Sequence, residues 1–172
     1  MNDQSLRQFI RDVPDFPKPG ILFRDITPLL LDPNAVAEAA ELIAEPFRKA
    51  GVDRVLGIES RGFLFGAVVA QALGAGLVLV RKAGKLPGPV HQIEYELEYG
   101  SDKVEMHTDA VEPGQRVLIV DDLIATGGTA AAGLALAREA GVEPVGCAFL
   151  IELVALEGRK QLSAPVHTVL GY

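Results

Sequence analysis

The sequence predicts a single α/β domain built on a mostly parallel, twisted sheet flanked by helices. Three observations carry that prediction. Apolar runs of strand length alternate with segments of helical periodicity, which is the pattern of right-handed crossovers between parallel strands. A chain of 172 residues is one ordinary domain, and no internal repeat or change of composition divides it. Hydrophobic residues make up 49%, with 18 Gly and 11 Pro, enough for a core joined by many loops.

The elements follow in order. Ser5 is placed to cap a helix over residues 6–13, which the three prolines and glycine of "PDFPKPG" then break. "ILFRDITPLLLDP" reads as an extended or turn segment closed by Asp32-Pro33. Val36, Ala39, Ala40, Ile43, Ala44 and Phe47 share one helical face, so residues 34–50 predict an amphipathic helix, with Pro46 disturbing its last turn and Gly51 ending it. Residues 53–59 predict a buried strand, "SRG" a tight turn, 63–73 an apolar helix and 76–82 the next strand. From 83 to 99 the pattern dissolves into Gly, Pro and then alternation. Residues 101–111 alternate as a strand or hairpin arm. Residues 115–122 predict a central strand, 127–141 a helix stopped by Gly141, and 143–153 a strand. A short helical stretch near "EGRKQL" and a last strand at 166–172 finish the chain.

Composition excludes some functions. A net charge of −7 argues against sequence-independent binding to nucleic-acid phosphates, so any anionic ligand must meet a local cationic patch. The single cysteine, Cys147, lies in an apolar run and reads as a packing residue. The polar N-terminus does not resemble a secretory signal, and no apolar run reaches membrane-spanning length. The expected location is cytoplasmic, with no membrane partner.

In α/β sheets ligands bind outside the carboxyl ends of the strands, and three such ends carry chemistry here. After the strand "VLIV" come Asp121 and Asp122, then the small turn Ala125, Thr126, Gly127, Gly128 and Thr129. The glycines allow amide N–H groups to converge on one anion, the following helix adds its positive end, and the threonines add hydroxyl donors. No Gly-Lys-Ser/Thr is present, so this is no triphosphate loop. Taken alone such a turn is more often only a turn. Two adjacent acids at a buried strand end are costly unless they meet hydroxyls, a metal or solvent. An acid pair that accepts from both hydroxyls of a ribose, ahead of a phosphate cradle, reads as a grip for a ribose 5-phosphate. Arg61, Arg81, Lys82 and Lys85 stand at neighbouring strand ends. Singly they read as solvated, and together they suit a second, more highly charged anion such as pyrophosphate.

These motifs resemble those of the type I phosphoribosyltransferases. "VLIVDDLIATGGT" is similar to that family's phosphoribosyl-diphosphate (PRPP) motif. "DFPKPGILFRDITPLL", "IESRGFLFG", "RKAGKLPG", "YELEYG" and "EPGQRVLIVDDLIATGGT" follow in the order of its adenine-using branch and span nearly the whole chain. "VHQIEY" is the segment without a match, which leaves His91 and Tyr95 without roles. The resemblance implies the type I fold, with an N-terminal hood over about 1–33, a core over about 34–172 and a mobile catalytic loop over about 83–102. It implies transfer of phosphoribosyl from PRPP to adenine, giving AMP and pyrophosphate, with Mg²⁺ carried by PRPP and no direct metal ligands on the protein. Ala125, Thr126, Gly127, Gly128 and Thr129 then hold the 5′-phosphate, and Asp121 with Asp122 the ribose.

Ser60 and Arg61 match the pyrophosphate loop, and Arg81, Lys82 and Lys85 its cationic segment, part of it given by the other subunit of a homodimer. Arg61 also counts among the catalytic candidates. Leu22, Phe23 and Arg24 match the adenine hood, although Phe23 also suits ordinary core. Glu98 matches the acid that moves a proton on adenine, and Tyr99 the closing loop, although "EYELEY" alone equally describes an exposed strand. His91, His107 and His167 are scattered, so none is favoured as ligand or base. The rival readings are a transferase for another purine and a nonenzymatic PRPP-sensing regulator. The second needs a nucleic-acid surface for which the sequence shows no basic excess.

Overall fold

The computed structural model describes residues 3–96 and 100–172. Its frame is a seven-stranded sheet. The strands of the chain are β1 (Arg11–Pro14), β2 (Leu22–Asp25), β3 (Arg54–Ile58), β4 (Gly76–Lys82), β5 (Val90–Glu96), β6 (Ser101–His107), β7 (Arg116–Ile124), β8 (Glu143–Glu152) and β9 (Val166–Gly171). The large sheet runs β5-β6-β4-β3-β7-β8-β9, while β1 and β2 form a separate two-stranded antiparallel hairpin. The five strands from β4 to β9 in that order are mutually parallel, and β6 and β5 extend the edge antiparallel. A mostly parallel sheet flanked by helices is therefore what the chain forms.

The helices are α1 (Asp3–Arg7), α2 (Thr27–Leu31), α3 (Pro33–Ala44), α4 (Gly62–Leu73) and α5 (Gly128–Glu139). Two apolar cores lie on opposite faces of the sheet. Leu29, Ile43, Phe65 and Val69 from the helices meet Val55, Leu118, Val120 and Leu150 on one face. Leu134, Leu136 and Ala137 of α5 meet Leu56, Val78, Ile119, Met106 and Phe149 on the other. Each fully buried side chain of this size stabilises by about 1.5–3 kcal/mol against exposure. Cys147 is buried in the second core, where burial pushes its thiol up to about 12.

The strand order reverses direction at β3: the chain passes from β3 outward to β4, and later from β7 outward to β8 and β9. The crevice beyond the carboxyl ends of β3 and β7 is thus the switch point where α/β sheets bind ligands. Two glycines one helical turn apart bring α4 against it. A Cβ at Gly66 would lie 3.1 Å from Gly57 Cα, and one at Gly62 would lie 2.7 Å from Asp121 Oδ1. With bare backbone at both positions, the N-terminus of α4 rests on the acids of β7.

The structure corrects several local expectations. The helix predicted for 6–13 ends at Arg7, and Arg11–Pro14 is a strand, because Arg11 faces Asp25 and Asp12 faces Arg24 across the hairpin. Such opposite-charge pairs stabilise a ladder directly. Ser5 lies inside α1 and donates to Glu38 Oε1 at 3.1 Å. The 21–33 segment holds β2 and α2 rather than staying irregular. The next helix closes at Ala44 and tightens into a 3₁₀ turn, Glu45–Phe47, where Pro46 lacks the N–H for another α-helical bond. Asp32 caps that helix, its side chain accepting from Asn34 N and Ala35 N. Half of the 83–99 stretch that lies among the described residues, Val90–Glu96, is the β5 arm of a hairpin with β6.

Candidate functional site

Asp121 and Asp122 do not end their strand. β7 continues to Ile124, with Leu123 opposite Ile151 and Ile124 opposite Glu152. Alternation slips across the acids instead. Val117 and Ile119 share a core with Ile124, while Leu118 and Val120 share the other with Leu123. The slip places the acids between the two cores, at the crevice. Asp122 is 5% exposed and its Oδ2 meets Arg61 Nε at 2.7 Å. Asp121 Oδ1 accepts from Asp122 N at 2.8 Å. Burial, and then the Asp122 charge beside it, push the Asp121 carboxyl well above the ordinary carboxylate range, against the pull of Arg61.

Beyond β7 the 125–129 turn walls a cavity of about 110 Å³, lined by all five of its residues with Asp121, Leu123, Ile124 and Phe149. That is room for one tetrahedral oxyanion. Gly127 has φ +88°, a left-handed conformation that only glycine adopts without strain, and no side chain caps α5 behind it. The turn and the N-terminus of α5 therefore border the cavity, and a helix N-terminus is a place where a phosphate is favoured.

A second opening of about 570 Å³ lies under the hairpin, lined by Val13, Phe16, Phe23, Asp25, Ile26, Thr27, Leu30 and Arg61. Its apolar walls suit a flat ring. Phe23 contacts Phe16 edge-on at 5.2 Å between centroids, and the Arg61 guanidinium sits 5.5 Å from the Phe23 ring centre. Of the three expected hood residues, Phe23 lines this cleft. Leu22 and Arg24, its neighbours on the strand, point to the other face. Arg24 pairs with Asp12 and stacks over Tyr172 at 4.1 Å, so its side chain ties the hairpin to the end of β9. The cleft also holds an ionised acid. Asp25 is lowered to about 2 by the hydroxyl and amide of Thr27 and then by Arg11.

The cationic cluster gathers around an acid that sequence reasoning passed over. Glu59 lies just past β3, and its peptide bond to Ser60 is cis. Its carboxylate pairs with Lys85, lies 3.4 Å from Arg81 Nε and accepts from Lys82 N at 3.0 Å. Burial raises the Glu59 carboxyl, but Lys85 and the Lys82 amide outweigh it and hold it below its ordinary range. Lys82 itself turns to Asp102 and to the Tyr95 hydroxyl, 3.2 Å away, which gives Tyr95 a place in the cluster. Glu105, 3% exposed, accepts from Lys85 N at 3.1 Å and Leu86 N at 3.0 Å, and so shapes the turn that carries Lys85. Asp102 and Glu105 were legible only as charges on an alternating segment and Glu59 only as the end of a buried strand; nothing in their spacing marked them as the partners of Arg81, Lys82 and Lys85.

The structure thus brings Ser60, Arg61, Asp121, Asp122 and the 125–129 turn to one crevice, with Phe23 joined to it through Arg61. Arg81, Lys82 and Lys85 gather at the adjoining strand end. Glu98 and Tyr99 lie outside the described residues. His107 and His167 lie against the carbonyls of Pro87 and Leu42 at 2.8 and 2.9 Å, away from the crevice. Among the described residues no group of three His, Cys, Asp or Glu is placed to hold a metal ion.

With this geometry in hand, likeness to known proteins fixes the class. The chain belongs to the phosphoribosyl transferase family, whose domain model matches residues 27–170. Its relatives narrow the class further. It is 56% identical to the adenine phosphoribosyltransferase of Thermosynechococcus vestitus over 97% of this chain and 99% of that one. It is 55% identical to that of Methylococcus capsulatus over 97% and 98%. Among solved structures, the Rhodothermus marinus adenine phosphoribosyltransferase matches with TM-score 0.94 and 56% identity, covering 99% of this chain and 98% of that one. The Saccharomyces cerevisiae enzyme, solved with adenine and an imino-altritol bisphosphate, matches with TM-score 0.91 and 44% identity over 97% of each chain.

Proposed function

We propose that the chain is an enzyme that transfers the 5-phosphoribosyl group of PRPP to adenine, giving AMP and pyrophosphate. The observation that carries this reading is the joining of three subsites through Arg61: a cavity sized for one phosphate, an acid pair, and an apolar cleft under the hairpin. The 125–129 turn holds the 5′-phosphate, and Asp121 with Asp122 accepts from the ribose hydroxyls. Adenine enters the cleft against Phe23, with the backbone of Leu22 and Arg24 at its edge. Ser60, Arg61, Arg81, Lys82 and Lys85 take the pyrophosphate, which displaces Glu59 and Asp102 as partner of the cations.

In the transfer, the bond from C1 of the ribose to pyrophosphate breaks, positive charge develops on the sugar, and a ring nitrogen of adenine bonds to C1. The nitrogen's proton leaves to Glu98, and closure of the 83–102 segment with Tyr99 excludes water. The donor set suits Mg²⁺ only as a passenger of PRPP. Its oxygen ligands would come from the phosphates it prefers, while Asp121 and Asp122 stay on the ribose hydroxyls. It would neutralise charge on the leaving group.

The mature assembly is proposed to be a homodimer. Leu64 on α4 and Leu77 and Leu79 on β4 are exposed at 47%, 39% and 40%, an apolar surface next to the cationic strand end. No helix among the described residues is long and apolar enough to cross a membrane, and a cytoplasmic location is part of the proposal. The N-terminal hood and mobile loop follow the boundaries given above.

The test is incubation with PRPP, Mg²⁺ and each of adenine, hypoxanthine, guanine and xanthine. AMP is expected far above any other nucleotide. Comparable turnover of an oxopurine would overturn the adenine assignment, and binding of PRPP with no product from any base would favour the sensing regulator.

A further inference from the structure

The 125–129 turn does not hold its shape alone. Among the described residues, none of the amides of Ala125, Thr126 and Gly127 donates to a protein acceptor. What shapes the turn is the backbone behind it. A Cβ at Gly127 would stand 2.3 Å from Gly158 O, and one at Gly158 would stand 2.2 Å from Ala125 O and 2.9 Å from Gly127 N. The two segments touch through bare main chain, with no room for a methyl group on either.

Gly158 opens a single 3₁₀ turn, Gly158–Gln161, an element too short to be stable by its own bonds. Its anchor is the next residue. Arg159 forks onto Glu152, with Nε at 2.7 Å from Oε1 and Nη2 on Oε2, and Nη2 also reaches Thr168 Oγ1 at 3.2 Å. Thr168 Oγ1 donates to Glu152 Oε2 at 2.9 Å, closing the triad. Glu152 is 5% exposed and stands opposite Ile124, the residue that leads into the turn. Leu153 N donates to Ile124 O at 3.0 Å. The chain from 152 to 161 therefore leaves the sheet beside the turn and folds back beneath it, and the only charged fork among these contacts is Arg159 on Glu152. Bidentate guanidinium–carboxylate pairs fix geometry as well as adding energy.

We propose that Arg159, tied to Glu152 and Thr168, is a positioning residue for the phosphoribosyl substrate: it latches Gly158 against the 125–129 turn and keeps the turn's amides converged on one phosphate. It touches no substrate itself. The inference rests on the reading of that turn as the phosphate site.

Removing Arg159 alone leaves the buried Glu152 carboxylate with the Thr168 hydroxyl but no cation, which is strongly destabilising. The experiment therefore uses Arg159→Met, which keeps the aliphatic stem, and the double variant Glu152→Met with Arg159→Met, which leaves no orphan charge. Calorimetry on the full chain reads PRPP with Mg²⁺ and, separately, adenine. PRPP affinity is expected to fall roughly tenfold in both variants, the scale of a weakened hydrogen bond to a charged group. Adenine affinity should stay within about twofold, the usual scatter for independent sites. Arg159→Lys should recover part of the PRPP loss.

Unchanged PRPP affinity in the folded double variant overturns the latch, and so does an equal loss for PRPP and adenine, which marks general loosening. Thr126→Val, measured alongside, separates the two readings. If it loses PRPP affinity while the Arg159 variants do not, the latch fails and the phosphate site stands. If it too changes nothing, the phosphate site fails and the latch with it.

Discussion

The two ends of the crevice proposed to bind anions are built from different material. At the 125–129 turn the groups that would meet a phosphate are backbone amides, held by a left-handed glycine and by the main chain of Gly158. At the 59 and 81–85 end they are long cationic side chains, each already paired: Arg81 and Lys85 with Glu59, and Lys82 with Asp102. The first end is preorganised, so binding there requires little rearrangement. The second must exchange partners when an anion arrives, and its affinity is a difference between two ion-pairing states. In a transferase that contrast has a use. On the proposed function, the phosphate that stays with the product would be held by rigid backbone, and the one that departs by partners that can be taken back.

The largest effect that can break this comparison is at Gly127. Gly127→Ala forces a side chain into a left-handed residue, which costs of order 1–3 kcal/mol, and drives its Cβ to 2.3 Å from Gly158 O. PRPP affinity is expected to fall by about 10²-fold or more, since even a displacement near 1 Å can cost that much. Adenine affinity should be retained. A folded Gly127→Ala protein with PRPP affinity near wild type would mean that the turn is not a rigid cradle.

A smaller effect, of opposite sign, belongs to the other end. Glu59→Gln keeps an acceptor for Lys82 N and removes the charge that occupies Arg81 and Lys85. Pyrophosphate should then bind more tightly, by roughly fivefold. That is about 1 kcal/mol, the scale of one unit charge a few ångströms away in a solvated site. The gain should fade with added salt, because the pairs are partly exposed. Titration of pyrophosphate into both proteins at low and high ionic strength decides it. Weaker binding in the variant would make Glu59 part of the grip instead of a counterweight to it.

The sequence made these two ends unequally legible. The 125–129 turn was readable because backbone cradles need particular residues in a fixed run, small and glycine-rich ahead of a helix. The large sheet was readable for a similar reason: β4 occupies the residues predicted for it, since its strand is one apolar run. The hairpin was not. β1 and β2 are short and hold no fully buried residue, so neither carries a hydrophobic period, and the pairs Arg11–Asp25 and Asp12–Arg24 that define them lie 14 and 12 residues apart. The partners of the cations were hidden likewise. Glu59 meets Arg81, Lys82 and Lys85 only once β4 lies beside β3, and Asp102 and Glu105 meet Lys82 and Lys85 only once β6 has folded back beside β4. Face alternation failed at Asp121 and Asp122, where the strand was expected to stop and in fact slips phase.

Between the two ends stands that acid pair, and the smallest predicted effect tests which kind of construction it shares. Burial and the charge of Asp122 raise the Asp121 carboxyl in the folded protein. The folded state therefore holds a proton that the unfolded chain has already released. Stability is undiminished below the ordinary carboxylate range, declines as pH rises above it, and carries the full penalty above the raised folded value. Asp121→Asn keeps the acceptor for Asp122 N and removes the penalty. Its Tm should match wild type in acid and exceed it by a few degrees at neutral pH, since a domain of this size shifts by about 2–4 °C per kcal/mol. PRPP affinity should drop, because an amide accepts less strongly from a ribose hydroxyl than a carboxylate does. Thermal melts of both proteins across the acid-to-neutral range give the sign. A variant less stable than wild type at neutral pH would mean that Asp121 is a satisfied structural acid, fixed like the backbone cradle. The expected gain would mark it as a group held in a costly state that substrate hydroxyls relieve.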